Sequence, residues 1–314
     1  MNDVLPLTVS ILTYNRRESL EELLEHLDGL EGGLDEIIVI DNGSGDGTAE
    51  MIRARWPRVR HLRNDRNVGV AARNLGLRSA SGEIVITLDD DIVGLTSADL
   101  ARVRQRFAAD PGLGALNFRV EDYYGRGLSN WVHHRPVADA RGSFDTYEIT
   151  EGAVAFRRTA VAAAGYYHEA YFISHEGPDL AFRLMNAGYR VAYDGSIGVR
   201  HKHLPSGRHP DRFYYYDTRN QFLLAARNLP LGPALRYLAR GQAAMAWYAM
   251  RDRRPGPWLR GVWDGLRALG PARAGRQAWT PQTAAACREI DRHRRSPWEV
   301  AWRRLLGEAN RLGD

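Results

Sequence analysis

Residues 7–30, LTVSILTYNRRESLEELLEHLDGL, carry two periodicities in succession. From Leu7 to Thr13 the run is apolar and β-branched, as a buried strand requires. After Asn15, leucines 20, 23, 24 and 27 recur at helical spacing, which predicts an amphipathic helix. Ser19 and Glu22 have the Ser-x-x-Glu spacing of a capping box, and Gly29 is placed to end the helix. The unit then repeats. EIIVIDN (36–42) reads as a strand, GTAEMIRARW as a helix, VRHLRN as a short strand, GVAARNLGLRSA as a helix and EIVITLDDD (83–91) as a strand. Near-continuous apolar strands separated by single helices imply a parallel sheet covered on both faces, joined by right-handed crossovers. The fold class is therefore α/β.

Past Gly94 the alternation loosens. TSADLARVRQRFAADPG predicts a helix ended by Asp110-Pro111-Gly112, and GALNFRV predicts a strand. EGAVAFRRTAVAAAG joins a strand to a helix, GPDLAFRLMNAGY is a second helix, and RVAYD is one more strand. From about Tyr214 onward the pattern is helical.

Ligands of such sheets sit beyond the carboxyl ends of the strands. Thr13, Tyr14 and Asn15 close the first strand, Asp41 and Asn42 the second, Asn64 and Asp65 the third, and Asp89, Asp90 and Asp91 the fourth. Any one of them is an ordinary turn or cap residue. Polar residues at four successive strand ends point instead to a binding cleft. Because strand side chains alternate, Asp89 and Asp91 face one site while Asp90 points elsewhere. Converging carboxylates call for a hard cation, Mg2+ or Mn2+, and such an ion completes its shell with substrate phosphates and water. DNGSGDGT (41–48) is not a calcium loop, since glycines occupy two ligand positions. No GxGxxG or GxxxxGK[ST] loop opens a helix, which disfavours a dinucleotide oxidoreductase and a P-loop enzyme.

The 314 residues, 44% of them hydrophobic, suffice for one large domain or a domain with an extension. No run approaches the roughly 18 apolar residues of a spanning helix, and MNDVLPLTVS lacks the regions of a signal peptide, so the expectation is a cytoplasmic product. Cys287, the single cysteine, excludes an internal disulfide and a thiolate metal cluster and reads as a small buried hydrophobe. The net charge of +5 is uneven, with arginine crowding residues 231–314.

VSILTYNR, EIIVIDNGSGDGT, NDRNVGVAARNLGLRSASGEIVITLDDDI, EGAVAFRR, HEGPDLAFRLMNAGYRVAY and YYYDTRNQ, in that order, resemble glycosyltransferase family 2, mostly inverting enzymes with the GT-A fold. The resemblance spans about Leu7 to Asn228. It implies a GT-A domain over 1–228, with 1–93 as the nucleotide half and 94–228 as the acceptor half, followed by a helical extension over 229–314. It implies that Asp41 meets the nucleotide base, that Thr13, Tyr14 and Asn15 line the same pocket with Asn64, and that Arg73 lies near the nucleotide, with Asn67 and Gly69 forming the turn before its helix. Asp89 approaches the ribose or a metal-bound water, and Asp91 is the direct metal ligand. Glu151, Gly152 and His175 belong to the acceptor side.

Many relatives have Glu-Asp-x-Asp-Leu where this chain has Glu176-Gly177-Pro178-Asp179-Leu180, and their first aspartate is the presumed base. Gly177 accepts no proton. Glu176 is the expected base, exposed in a loop before a helix whose first turn holds Pro178, and Asp179 is the alternative, with a structural role at the helix N-terminus as its competing reading. His201, with Ser206 five residues on, is a candidate metal or diphosphate ligand in a loop after the last strand. His203 and His209 read as surface residues, and His133 and His134 beside Trp131 as packing. Arg219-Asn220 reads as a fold-holding network.

The expected activity is metal-dependent, inverting transfer of a sugar from a UDP- or dTDP-linked donor to a hydroxyl acceptor: a lipid-linked glycan, a polysaccharide or a small natural product. Sugar-phosphate nucleotidyl transfer is an alternative, although TYNRRES lacks the glycine-rich loop it needs. A basic binding protein is another, but the tail lacks the basic-aromatic pattern of a nucleic-acid groove. LRYLARGQAAMAWYAM, WLRGVWDGLRALG and WEVAWRRLLGEANRL mix tryptophan, leucine and arginine. They suit helices packed on the domain, a homodimer contact, or a lipid interface.

Overall fold

The alternation at the head of the chain becomes β1 (Leu7–Thr13), α1 (Arg17–Asp28), β2 (Glu36–Asp41), α2 (Thr48–Arg55), β3 (Arg60–Arg63), α3 (Arg73–Ser79) and β4 (Ile84–Asp89) in a computed structural model. The structure describes residues 5–30, 34–125, 127–128, 135–202 and 210–294. The chain continues through β5 (Ile92–Val93), α4 (Ser97–Ala109), β6 (Leu113–Asp122), β7 (Ser143–Asp145), β8 (Ala153–Arg157), α5 (Arg158–Ala163), α6 (Glu176–Asn186) and β9 (Arg190–His201). Four more helices follow: α7 (Asp211–Asn228), α8 (Leu231–Arg251), α9 (Pro255–Ala274) and α10 (Pro281–Asp291).

Among the described residues the strands form one mixed sheet in the order β3-β2-β1-β4-β8-β6-β9-β5, with β7 pairing to β9. The first four strands are parallel, as their apolar runs predict. β8 then enters antiparallel between β4 and β6. It breaks the all-parallel pattern and turns its leading residues, Glu151 and Gly152, toward the end of β4. β9 is twelve residues long, with a bulge opposite Phe118 and Arg119. The glycines of DGSIG obscure this second half in the sequence.

Strand alternation feeds two cores. Val9, Ile11, Val39, Ile86 and Leu88 pack with Leu20, Leu24 and Leu27 of α1 and with Val103 and Phe107 of α4. Ile38, Ile40 and Val85 face the other way, against Leu77, Val161, Leu180 and Leu224 of α3, α5, α6 and α7. Full burial of each such side chain contributes about 1.5–3 kcal/mol. Cys287 is buried in the second core, where burial pushes its thiol up to about 12.

The capping box proposed for Ser19 and Glu22 is not formed. α1 begins at Arg17, so Ser19 lies inside the helix and its hydroxyl donates to the Asp90 carbonyl at 2.8 Å. A tertiary acceptor won over the local one. The capping box lies instead on α4, between Thr96 and Asp99.

Candidate active site

Parallel pairing of β1 with β2 and β4 sets Thr13 beside Asp41 and Leu12 beside Asp89, so the three strand ends share one edge. The three consecutive aspartates tolerate one another because each has its own cation or donor. Asp89 pairs with Arg73, a buried guanidinium that also donates to the Leu88 carbonyl at 3.2 Å. Asp90 accepts from Thr13 Oγ1 at 2.8 Å and from Arg16 Nη1 at 3.0 Å. Asp91 accepts from the same Arg16 nitrogen at 2.7 Å and lies 3.1 Å from His201 Nε2. Burial pushes the Asp90 carboxyl up to about 7, Arg16 opposing and Asp91 adding to the rise. Burial also acts to raise Asp91, but the His201 hydrogen bond and charge, with Arg16, hold it down at about 2. Burial would lower the imidazole of His201, yet Asp91 outweighs it and raises it above its ordinary value.

His201 is not in a loop. It is the last residue of β9, paired in register with Ile92 and with Asp122, and this strand pairing carries it to Asp91 across more than a hundred residues. Ligand atoms of Asp89, Asp91 and His201 all lie within 4.8 Å of one another. Two carboxylates and one imidazole are a fitting donor set for Mn2+ and an acceptable one for Mg2+, with the nitrogen favouring Mn2+. His203, Ser206 and His209, like Trp131, His133 and His134, fall outside the described residues.

Several nucleotide-side residues are already engaged. Tyr14 is 44% exposed at the mouth of the edge. Thr13 is buried, its hydroxyl committed to Asp90, so it does not line open space as expected. Asn15 adopts φ 53°, a left-handed turn in which its N–H donates to Ser44 Oγ and its side-chain oxygen accepts from the Gly45 N–H. Asp41 is fully buried and accepts from the Ser44 N–H at 2.7 Å and Arg63 Nη1 at 2.9 Å. In this arrangement its carboxylate closes the loop after β2, with His61 Nε2 3.7 Å away. Asn64 and Asn67 both bond to Asn42, which also holds the Gly69 carbonyl and the Val68 N–H. Gly69, at φ 72°, passes so close to the Phe172 carbonyl that any Cβ would collide with it. The turn before Arg73 is thereby locked to the loop before α6.

That loop carries His175, expected on the acceptor side. Phe172, Ser174 and His175 all have positive φ, at 59°, 72° and 67°. Such strain persists where surrounding structure imposes it, and here Asn220 does so. Its side-chain nitrogen donates to the carbonyls of Tyr171, Ile173 and Ser174 at 2.9, 2.7 and 2.8 Å, while Arg219 holds the Ala170 carbonyl. His175 lies 3.2 Å from Asp217 on α7 and 3.0 Å from the Tyr237 hydroxyl on α8. Burial acts to lower the His175 imidazole, but Asp217 outweighs it and raises it.

With His175 as the left-handed residue before it, α6 starts at Glu176, which is 4% exposed rather than out in a loop. Glu151 approaches from β8, and a Cβ on Gly177 would sit 2.5 Å from its Oε1. Burial first, and the charge of Glu176 second, push the Glu151 carboxyl well above the usual range. Gly152 donates no side chain, and its bare Cα lets Asp89 come against it. Asp179, the alternative base, is fully buried. It accepts from Arg183 Nε and Nη2 at 2.9 and 2.6 Å, from Arg227 at 3.1 Å and from the Tyr171 hydroxyl at 3.2 Å. Those fixed donors make it a joint between α6 and α7.

Sequence reasoning missed Arg16 and the Asp217–His175–Tyr237 contact. Arg16 reaches its partners across 74 and 75 positions, a relation with no local signature.

Residues 8–164 match the family described as glycosyl transferase family 2. The chain is 27% identical over 199 residues to poly-beta-1,6-N-acetyl-D-glucosamine synthase of Staphylococcus aureus, covering 60% of this chain and 48% of that protein. It therefore spans about half the length of that curated relative. It is 36% identical over 90 residues to dolichol-phosphate mannosyltransferase of Pyrococcus furiosus, covering 27% of this chain and 25% of that protein. Among solved structures, S. aureus TarS 1-349 in complex with UDP-GlcNAc superposes with a TM-score of 0.61 at 16% identity, covering 86% of this chain and 84% of that one. The mannosyltransferase PcManGT from Pyrobaculum calidifontis, in complex with GDP-Man and Mn2+, gives 0.59 at 21%, covering 96% and 84%. The fold is the GT-A fold of these enzymes.

Proposed function

The chain belongs to glycosyl transferase family 2, and on that premise we propose that it transfers a sugar, with inversion, from a UDP- or dTDP-linked donor to a hydroxyl acceptor. The observation that carries this reading is the convergence of Asp89, Asp91 and His201 at the end of β4, with Gly152, next to Glu151, against Asp89. Asp91, Asp89 and His201 would hold Mn2+ or Mg2+, which when bound neutralises charge on the departing diphosphate. His201 first and Arg16 second hold the Asp91 carboxylate ionised, and Arg73 pairs with Asp89. Tyr14, exposed at the same edge, offers a ring to the donor's base.

Glu176 takes the proton of the acceptor hydroxyl as that oxygen attacks from the side opposite the diphosphate. Glu151, pushed up by burial and by Glu176, keeps its own proton, because two neighbouring buried carboxyls do not both ionise. Glu176, the other member of the pair, is the proposed base. The acceptor is a lipid-linked glycan, a polysaccharide end or a small natural product.

The test is incubation of the full chain and Mn2+ with a panel of UDP-, dTDP- and GDP-sugars, reading the nucleotide product. Release of nucleoside diphosphate from one donor supports the reading. Formation of nucleoside triphosphate and sugar 1-phosphate when pyrophosphate is added to the same donors would indicate nucleotidyl transfer, and no turnover of any donor with any acceptor class would overturn it.

A further inference from the structure

Helices α8 and α9 are apolar on two sides. On α8, Ala234, Met245 and Ala249 are buried toward the domain. Leu235 and Trp247, with Ala239 and Ala243 between, lie on the outer arc and are 60% and 62% exposed, with Met250 among them at 52%, and Leu231 is 70% exposed at the start of the helix. On α9, Gly261 and Gly265 face inward, while Leu259, Trp263 and Leu266 are 56%, 58% and 49% exposed. Of the ten large hydrophobics exposed among the described residues, seven stand on these two helices, so the exposure is concentrated rather than scattered.

The charges around these faces are mostly positive. α8 contains no acid, and Arg236, Arg240 and Arg251 are exposed on it, Arg251 being paired with Asp252 just past its end. The one acid of α9, Asp264, is part-buried, accepts from the Tyr215 hydroxyl at 2.9 Å and lies 3.8 Å from Arg260. Arg267 lies over the Trp263 ring, 4.4 Å from its centre, with Arg260 also exposed. No described helix is long and apolar enough to cross a membrane.

We propose that the outer faces of α8 and α9 lie in the interface of an anionic lipid bilayer, with leucine and tryptophan entering the headgroup boundary and the flanking arginines meeting lipid phosphate. Leucine, tryptophan and methionine at helical spacing match a surface with a hydrocarbon interior, and the arginines match its anionic headgroups. A second copy of the chain fits less well, because a two-fold contact sets this face against itself and brings arginine to arginine. Nucleic acid answers the arginines but leaves the aliphatic side chains uncovered. The Tyr237 hydroxyl ties α8 to His175, next to Glu176, so the lipid face lies about one helix diameter from the acceptor side of the site.

The experiment is sedimentation of the full chain with vesicles of phosphatidylcholine, with and without phosphatidylglycerol, in the absence of donor, so that its outcome is independent of glycosyl transfer. Binding is expected only to the anionic vesicles, with release at about 1 M salt, where screening reaches within about 3 Å. Trp247→Ser with Trp263→Ser should weaken binding roughly tenfold or more, and Arg236→Ser with Arg240→Ser should weaken it and flatten its salt dependence. In the unaltered chain, lipids brominated in the acyl region should quench tryptophan emission, a readout that needs no variant. Failure to bind anionic vesicles at low salt, equal binding to neutral ones, or a solution dimer that the tryptophan pair dissolves would overturn the proposal.

Discussion

At the scale of single residues, site and scaffold are separated by what each carboxylate touches. Asp91 faces His201 and shares Arg16 with Asp90, so Asp91→Asn leaves Arg16 one partner and takes the carboxylate from His201 together with the ligand. Turnover should fall roughly a hundredfold or more while the melting temperature drops by a few degrees as the paired carboxylate is lost, and EDTA should cut the turnover of the unaltered chain likewise. Full activity in EDTA would sink the metal assignment. Glu176 and Asp179 stand three residues apart with opposite expectations. Glu176→Gln should lower kcat roughly a hundredfold with little change in donor binding. Asp179→Asn strips a buried carboxylate from Arg183 and Arg227, leaving charge uncompensated at a cost of about 3–5 kcal/mol. Thermal melts and kinetics on the two variants tell these roles apart, and a stable Asp179→Asn protein without turnover would reverse the assignment.

At the scale of elements, the loop between α5 and α6 is held in a strained path by a residue on α7. Asn220→Ala removes three donations to its backbone carbonyls, and left-handed conformations at non-glycine residues cost about 1–3 kcal/mol each. The loop should relax, and kcat should fall about tenfold while KM for the donor stays within a few-fold; an unchanged kcat would make Asn220 merely structural. At the other end of the sheet, Glu36 on β2 accepts from Thr8 Oγ1 and from the N–H and hydroxyl of Ser81, joining β1, β2 and the approach to β4. Burial acts to raise its carboxyl, but the Ser81 N–H and then the hydroxyls outweigh it and lower it. A carboxyl lowered in the folded state stabilises above its unfolded value, and that contribution is lost as pH falls through the folded one. Glu36→Gln should therefore cost about 1 kcal/mol at neutral pH, with the gap to the unaltered chain closing on acidification. A gap independent of pH would contradict this.

At the scale of the whole molecule, the C-terminal helices are seated through small residues. A Cβ at Gly261 would come 2.7 Å from the Tyr215 carbonyl, and one at Gly265 would strike the Phe222 ring, so α9 lies close on α7. Gly265→Val should overpack that contact by about 1–3 kcal/mol and lower the melting temperature by several degrees. Gly270→Ala meets open space and should hold or raise it; equal effects from both would mean that α9 does not pack here as described. The sequence alone determined the parallel half of the sheet, because near-continuous apolar runs and leucines at helical spacing are local properties of the chain, and each strand end there carries its polar residues with it. It also named Asp89 and Asp91 for one site, but through strand alternation, whereas β4 ends at Asp89, Asp91 reaches the site from the turn before β5, and Asp90 shares Arg16 with it. Only the tertiary structure decided that Asp41 is closed by Arg63, that Glu176 is buried beside Glu151, that Asp179 is a joint, and that His201 ends a strand beside Asp91. Each of these is a contact between segments far apart in the chain. Burial, charge pairing and sheet register between such segments are properties of the packed whole, and no local periodicity encodes them.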